Sequence, residues 1–188
     1  MIYQLTCAYC MADQDEMRKI SLETYTVLEN LEKIKEFMFA DLDKTIELVH
    51  SNKGAPNFML ALVLCAYTEF WGKLMFPSDE SKKCFDAFFC KLGTRYVEVM
   101  THPNTSIYGS IRCGLIHAYL IKGNAKIVIE GGDCGIIYDD KTKVYIFYVR
   151  RYLEDFKFAV NNYLYELKID LNKFNNAKKA LEKGPQLL

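Results

Sequence analysis

The sequence predicts a mainly α fold: a four- to five-helix up-and-down bundle with a small antiparallel β meander inserted before the last long helix. Three observations predict it. Apolar residues recur at spacings of three and four through most of the chain, as on the inner faces of amphipathic helices. Between about residues 125 and 149 this period gives way to β-rich runs separated by Gly and Asp turns. Finally, 188 residues with 51% hydrophobic side chains suit one globular domain, residues 1–188.

The first half of the chain contains two predicted helices. Asp13 and Glu16 have the spacing of a capping box, and inner apolar positions then recur from Val27 to Val49. A loop over residues 51–55 ends at Pro56, which suits the first turn of a second, largely buried helix that Pro77 closes.

Two more helices follow. Ser78 is the expected cap of a third helix, whose inner stripe runs from Phe85 to Val99. Turn residues then precede Thr105 and Ser106, either of which can cap a fourth helix that ends at about Leu120.

The pattern changes in the last third of the chain. Residues 127–129, 136–138 and 144–149 are β-rich and predict the three strands of the meander. A long helix follows with inner residues from Leu153 to Leu171, and residues 172–188 lose their periodicity and predict a loose tail.

Charge and composition limit the class of protein. Twenty-four basic side chains balance 24 acidic ones, so no global positive field attracts long nucleic acid and any RNA binding must be local. The longest apolar run, residues 58–67, is far short of the roughly 20 residues that span a bilayer. The start of the chain lacks the basic region of a secretory signal. We therefore expect a cytoplasmic protein with no membrane partner.

Cysteine and histidine usage predicts no metal and no cofactor. The seven cysteines are an odd number and lie mainly in helix-like segments, which fits reduced core thiols better than a disulfide framework. Cys7 and Cys10 are spaced as in a zinc or redox motif, but no second such pair follows. His50 and His102 are isolated in turn-like surroundings.

Arg112 and His117, on the predicted fourth helix, are the strongest candidates for chemistry. They combine a permanent cation with a group that exchanges protons near pH 7. Five positions on an ideal helix rotate about 500°, which leaves the two side chains about 140° apart, at opposite edges of the apolar stripe where both should be accessible. One phosphate could meet both if the helix distorts at Gly114, if the arginine reaches round, or if a symmetric partner supplies the second group. We favour the third alternative, in which a symmetric partner supplies the second group.

The run from Arg112 to His117 resembles the Arg-x4-6-His signature of HEPN domains. With Tyr119 it resembles the Arg-x4-His-x-Tyr form found in HEPN toxins. The resemblance implies a helical bundle that pairs as a homodimer, with the motifs of two subunits lining one cleft. It also implies metal-independent cleavage of RNA through attack by the ribose 2′-hydroxyl, with Arg112 and His117 as catalytic residues.

The same resemblance suggests supporting residues. Tyr119 matches a tyrosine to which nucleotidyltransferase-type antitoxins attach nucleotide, and it therefore implies such a partner. Cys113 occupies a position where many family members have a polar residue, often asparagine. Glu69 is expected either to pair with Arg112, as an acidic residue on a facing helix does in some HEPN domains, or to be exposed at a helix edge. Lys122 and Lys126 either bind substrate beside the motif or form a solvated surface.

Two functions remain open at the level of sequence. The first is a metal-independent endoribonuclease of HEPN type, acting in a toxin–antitoxin pair, in defence or in stress. The alternative is a non-catalytic HEPN-like module whose aromatic-rich bundle and exposed β edge bind a protein partner or a nucleotide, with Arg112 and His117 structural.

Overall fold

The computed structural model describes the backbone of residues 5–50, 56–102, 107–118 and 125–183, and the side chains of residues 25–48, 57–102, 107–115 and 125–183. The described chain is mainly α with a small β insertion, as the sequence predicts. Its helices are α1 (Leu5–His50), α2 (Pro56–Met75), α3 (Ser81–Lys91), α4 (Thr94–Met100), a π-helical turn (Tyr108–Arg112) that continues into α5 (Cys113–Ala118), α6 (Val149–Ile169) and α7 (Leu171–Lys183).

Helix α2 is the central element of the bundle. It contacts α1, α3, α6 and α7, and its buried side chains include Leu60, Leu64 and Trp71. The Trp71 ring meets Phe88 of α3 and Tyr163 of α6, each with a centroid distance of 6.4 Å. Aromatic rings from three helices therefore fill the middle of the core, which explains why the sequence has so many aromatic residues at inner helical positions.

The predicted third helix is divided in two. Gly93, between α3 and α4, has φ +144°, a conformation that residues with a Cβ rarely adopt. The chain changes direction there, so that Phe89 of α3 and Tyr96 of α4 meet edge to face with their centroids 5.2 Å apart. The prediction of one helix with a single inner stripe from Phe85 to Val99 is therefore wrong. The apolar period continues across Gly93, although the first helix ends before that residue. The expected cap is also displaced: α3 begins at Ser81, after an N-cap at Glu80.

The β insertion is a mixed sheet, so the predicted antiparallel meander is wrong in its topology. Strands β1 (Ala125–Val128), β2 (Ile136–Asp139) and β3 (Val144–Tyr148) have the order β1-β3-β2. Strand β3 pairs parallel with β1 and antiparallel with β2. Gly131 and Gly132, both at positive φ, turn the chain after β1 and place β2 beyond β3. The segment between β1 and β3, with β2 inside it, then supplies the crossover that parallel strands require.

The loose tail predicted for residues 172–188 is wrong over most of its length, because α7 extends to Lys183. The Asp170 carboxylate caps this helix by accepting the backbone N–H groups of Asn172 and Lys173 at 3.0 and 3.2 Å. Phe174, Ala177 and Ala180 are buried, and α7 packs on α2. Small alanines make a weak apolar stripe, which explains why the periodicity is hard to recognise. Residues 184–188 lie outside the described residues.

Helix α2 also has the length and apolar composition needed to cross a membrane, over Asn57–Met75. The uninterrupted apolar run in the sequence is shorter because Thr68 and Glu69 interrupt it. Within the described part of the chain, helices α1, α3, α5, α6 and α7 contact α2. The core helix of a bundle has the same composition, so this helix does not by itself indicate a membrane.

The contact between α2 and α3 generates a prediction at Gly72. A Cβ at this position would lie 1.7 Å from the backbone oxygen of Cys84, so the two helices must separate to accept it. Replacing glycine by alanine inside a helix normally stabilises by about 1 kcal/mol. Here we expect Gly72→Ala to lower the free energy of unfolding by about 1–3 kcal/mol, measured by urea denaturation.

The exposed Ala66 of the same helix provides a control. Ala66→Ser should change the free energy of unfolding by no more than about 0.5 kcal/mol. A Gly72→Ala chain more stable than the native chain would show that α2 and α3 do not approach so closely.

Candidate functional site

The candidate site is built on a π-helical turn. Residues Tyr108–Arg112 form this turn, with the N–H of Cys113 bonded to the oxygen of Tyr108, and the α-helix α5 begins immediately afterwards. Single π turns within helices are rare and occur often at functional sites. A distortion at Gly114 was one of the alternatives that the sequence left open. The irregular turn instead lies before Cys113, and Gly114 lies within the α-helical part.

Arg112 forms an ion pair with Glu69 of α2. The Arg112 Nη2 and Glu69 Oε2 atoms are 2.5 Å apart, and the two side chains are 16% and 18% exposed. Of the two alternatives for Glu69, the structure contains the paired one. Arg112 is less accessible than the sequence predicts, because the carboxylate on the central helix holds the guanidinium against the bundle.

Tyr108 provides the second contact of the guanidinium. The Arg112 Cζ atom lies 5.1 Å from the centroid of the Tyr108 ring, within cation–π distance. That ring packs edge to face on Phe85 of α3, with a centroid distance of 5.6 Å. Burial, followed by the Glu69 carboxylate, raises the pKa of Tyr108, so its hydroxyl is neutral at pH 7. Tyr108 therefore connects Arg112 to α3 as Glu69 connects it to α2.

The surroundings keep Arg112 charged. Burial lowers the pKa of Arg112, but the opposing effects, of which the Glu69 carboxylate is the largest, outweigh it, so its pKa lies above the ordinary arginine value. The nearby Cys65 thiol is buried, and burial raises its pKa to about 12. The thiol is therefore neutral, which leaves the Glu69 carboxylate as the counterion of the guanidinium at this site.

The Arg112–Glu69 contact does not satisfy every polar atom. Glu69 Oε2 and Arg112 Nε are both buried without a well-aligned hydrogen bond, although the short distance from Oε2 to Nη2 is a real electrostatic contact. An arginine has five N–H donors in a planar fork. Within the described residues, the Nε–H is a donor that Glu69 does not use, but its burial closes it to solvent, so an anion can reach the side chain only through its exposed part.

The remaining predicted site residues are only partly described. His117 lies in α5, where the backbone is α-helical from Cys113 to Ala118, but its side chain is not among those described. Cys113 is partly buried beside Arg112. Lys126 is exposed in β1. Tyr119 and Lys122 lie outside the described residues. The site thus brings together Arg112 and Glu69, with Tyr108 as a third member.

Tyr108 is the site residue that the sequence reasoning missed. It lies four positions before Arg112, and side chains at this spacing are neighbours on a helix. The spacing is therefore a signal for the contact, but it lies outside the motif, which begins at Arg112 and directs attention to Tyr119 instead.

Among the described residues, no group of three or more His, Cys, Asp or Glu side chains could hold a metal ion. Comparison with known proteins found no matching family model, no matching curated protein and no matching solved structure.

The buried pair generates a prediction for a double-mutant cycle. Because each group neutralises the other in a site with little solvent, Glu69→Met or Arg112→Met alone should lower the free energy of unfolding by about 3 kcal/mol. The double variant removes both charges, and it should cost less than the sum of the single variants by about 1–3 kcal/mol. Urea denaturation of the four chains measures this coupling.

The exposed pair between Lys33 and Glu29 of α1 is the matched control. Its charged atoms are 3.0 Å apart, but the side chains are 59% and 46% exposed, so we expect a coupling of no more than about 0.5 kcal/mol. Equal couplings in the two pairs would contradict the special role of the buried one.

Proposed function

We propose that this chain is a metal-independent endoribonuclease of HEPN type that uses Arg112 and His117 at one phosphodiester linkage. The observation that supports the proposal most is the state of Arg112. Its guanidinium is fixed between Glu69 and Tyr108, and the side chain remains 16% exposed. A planar cation held in this way is suited to binding phosphoryl oxygens.

The proposed chemistry needs no cofactor. Cleavage requires that the ribose 2′-hydroxyl lose a proton, that negative charge on the phosphorus centre be stabilised, and that the leaving 5′-oxygen gain a proton. Arg112 supplies the stabilising donors, and Glu69 limits the positions that the guanidinium can take. His117 transfers the protons. The products are a 2′,3′-cyclic phosphate and a 5′-hydroxyl.

The proposal includes a homodimer. Arg112 ends the π-helical turn and His117 lies within the α-helical α5, and the ideal-helix angle of about 140° between the two side chains stays a prediction. A second copy, related by two-fold symmetry, supplies the group that the first cannot bring to the same phosphate. Pairing also doubles the local positive charge, which a chain with zero net charge needs to bind RNA.

The biological setting in this proposal follows the family resemblance. The chain acts in the cytoplasm as a toxin or in defence or stress, and an antitoxin of nucleotidyltransferase type silences it at Tyr119. Cys113, Lys122 and Lys126 flank the motif in the sequence and support or bind substrate. None of these assignments is needed for the chemistry of Arg112 and His117.

A second candidate function is supported by the same ion pair. An arginine that is only 16% exposed and neutralised by a carboxylate also fits a purely structural role. In that case the chain is a non-catalytic HEPN-like module that binds a protein partner or a nucleotide. The two candidates differ in whether removal of the guanidinium affects chemistry or only stability.

Cleavage of RNA by matched variants distinguishes the two candidates. With EDTA present, we expect the native chain to cleave unstructured RNA and His117→Ala to lower the rate by about 10²–10⁴-fold, because the proton transfers lose their catalyst. Arg112→Ala should lower the rate by about 10²–10³-fold. Arg112→Lys should remain impaired because it lacks the planar fork.

Arg151→Ala is the control, since Arg151 also pairs with a carboxylate, that of Asp155, at 2.9 Å, but lies on α6. It should retain native activity. Mass spectrometry of the product ends should show cyclic phosphate. If the native chain does not cleave RNA, or if His117→Ala and Arg112→Ala cleave it as fast as the native chain, the nuclease proposal is wrong and the binding module is favoured.

A further inference from the structure

A groove between α4 and β2 lies outside the Arg112 site. It encloses a volume of about 230 Å³, and its lining includes Arg95 and Glu98 of α4, His102 just after α4, and Ile137, Tyr138 and Asp140 of the β insertion. Arg95, Glu98 and His102 are three and four positions apart, which is helical spacing, so they lie along one side of the groove. Strand β2 is an edge of the sheet, which leaves its outer side available to the groove.

Aromatic rings meet across this groove, since His102 lies on its α4 side and Tyr138 on its β2 side. The Tyr138 ring lies 4.2 Å from the His102 ring and 4.7 Å from the Tyr145 ring, centroid to centroid, with interplanar angles of 41° and 44°. The Lys143 ammonium is 5.9 Å from the Tyr138 centroid. Tyr138 and His102 are only partly buried and line the groove, so the part of each ring that its neighbours leave uncovered is accessible to a ligand.

Polar groups beside these rings are not all engaged. The His102 Nδ1 atom is buried without a hydrogen-bond partner, and this side chain lines the groove. The Glu98 carboxylate also lines it and can act only as an acceptor when ionised. Arg95 and Asp140 are paired with Asp133 and Lys143. The groove therefore offers the Glu98 carboxylate as an acceptor at the edge of an aromatic surface, whereas the His102 Nδ1 atom is closed to solvent.

The β2–β3 turn holds the Tyr138 side of the groove in place. The Asp139 side chain accepts hydrogen bonds from the Lys141 N–H at 3.0 Å and the Thr142 hydroxyl at 2.6 Å. Lys143 has φ +57°, unusual for a residue with a side chain, and its N–H bonds to the Asp139 oxygen at 2.7 Å. These bonds fix the hairpin on which Tyr138 lies.

We infer that this groove binds one unpaired nucleobase of an RNA strand. Its volume is below the range of about 300–1,000 Å³ found for drug-sized ligands, so it suits a single ring system better than a peptide or a whole nucleotide. Unpaired RNA bases are recognised by stacking on Tyr or His and by hydrogen bonds to their edges. Tyr138 provides the stacking surface, and Glu98 accepts from the N–H groups of the base. The choice of RNA rests on the proposed function.

The test measures binding separately from cleavage. Full-length chains with His117→Ala, which slows cleavage enough for binding to be measured, are titrated into a labelled, unstructured oligoribonucleotide and into the same backbone with abasic positions. We expect Tyr138→Leu to weaken binding of the oligoribonucleotide by roughly five- to tenfold, because base stacking is lost. Tyr138→Phe retains the ring and should change the affinity by less than about twofold.

Two controls exclude trivial effects. Tyr165→Leu makes the same substitution at an exposed tyrosine on α6 and should leave the affinity unchanged. The abasic strand should bind equally to the Tyr138→Leu chain and to its parent, since stacking has no base to act on. His102→Ala changes a second residue of the groove and should also weaken binding of the strand with bases. It keeps the test decisive if Tyr138→Leu does not fold.

The outcomes separate this inference from the proposed nuclease. If binding depends on bases and on Tyr138 while the native chain cleaves no RNA, the groove is a base site and the nuclease proposal fails. If the native chain cleaves RNA but Tyr138→Leu and His102→Ala bind both strands as their parent does, the base site is wrong. Binding of an extended peptide along β2 that survives both substitutions would assign the groove to a peptide instead.

Discussion

The ion pair between Glu69 and Arg112 is the constraint on which the candidate site depends. A carboxylate in the middle of the central helix α2 loses hydration, and a cation at 2.5 Å compensates for that loss. The same contact draws the π-helical turn against α2, while Tyr108 packs the turn against Phe85 of α3. Removing either charge therefore affects the core and the position of the motif together.

A second polar network attaches the β insertion to the bundle. The Tyr96 hydroxyl of α4 donates to Asp155 of α6 at 2.6 Å and accepts the N–H of Gly135, just before β2, at 3.0 Å. Burial and the Asp155 carboxylate raise the pKa of Tyr96, which keeps this hydroxyl protonated. A side chain at Gly135 would meet the Tyr96 hydroxyl at 2.3 Å. This network thus holds the start of β2 against α4 and α6.

The features predicted well from the sequence are those that depend on the spacing at which apolar residues recur. Most of the helices, the position of the β insertion and the charge of Glu69 inside an apolar helix all leave a local pattern. The sequence left open whether Glu69 is paired or exposed, and the structure contains the pair with Arg112. The features missed depend on tertiary geometry. Strand order depends on where Gly131 and Gly132 send the chain, and α7 is stabilised by alanines that show little apolar period. The π-helical turn has no recognised sequence signal, and the four-residue spacing that indicates the contact of Tyr108 with Arg112 lies outside the motif.

The central claim is that two copies of the chain each supply one group to a shared phosphodiester site. Mixing Arg112→Ala and His117→Ala chains, each inactive alone, tests it most directly, because a mixed dimer retains one site with an intact guanidinium and an intact imidazole. The account predicts that subunit exchange restores RNA cleavage to a substantial fraction, at most about half per mixed dimer. Mixed dimers that form, as shown by mass spectrometry, but stay as inactive as their parents would contradict it.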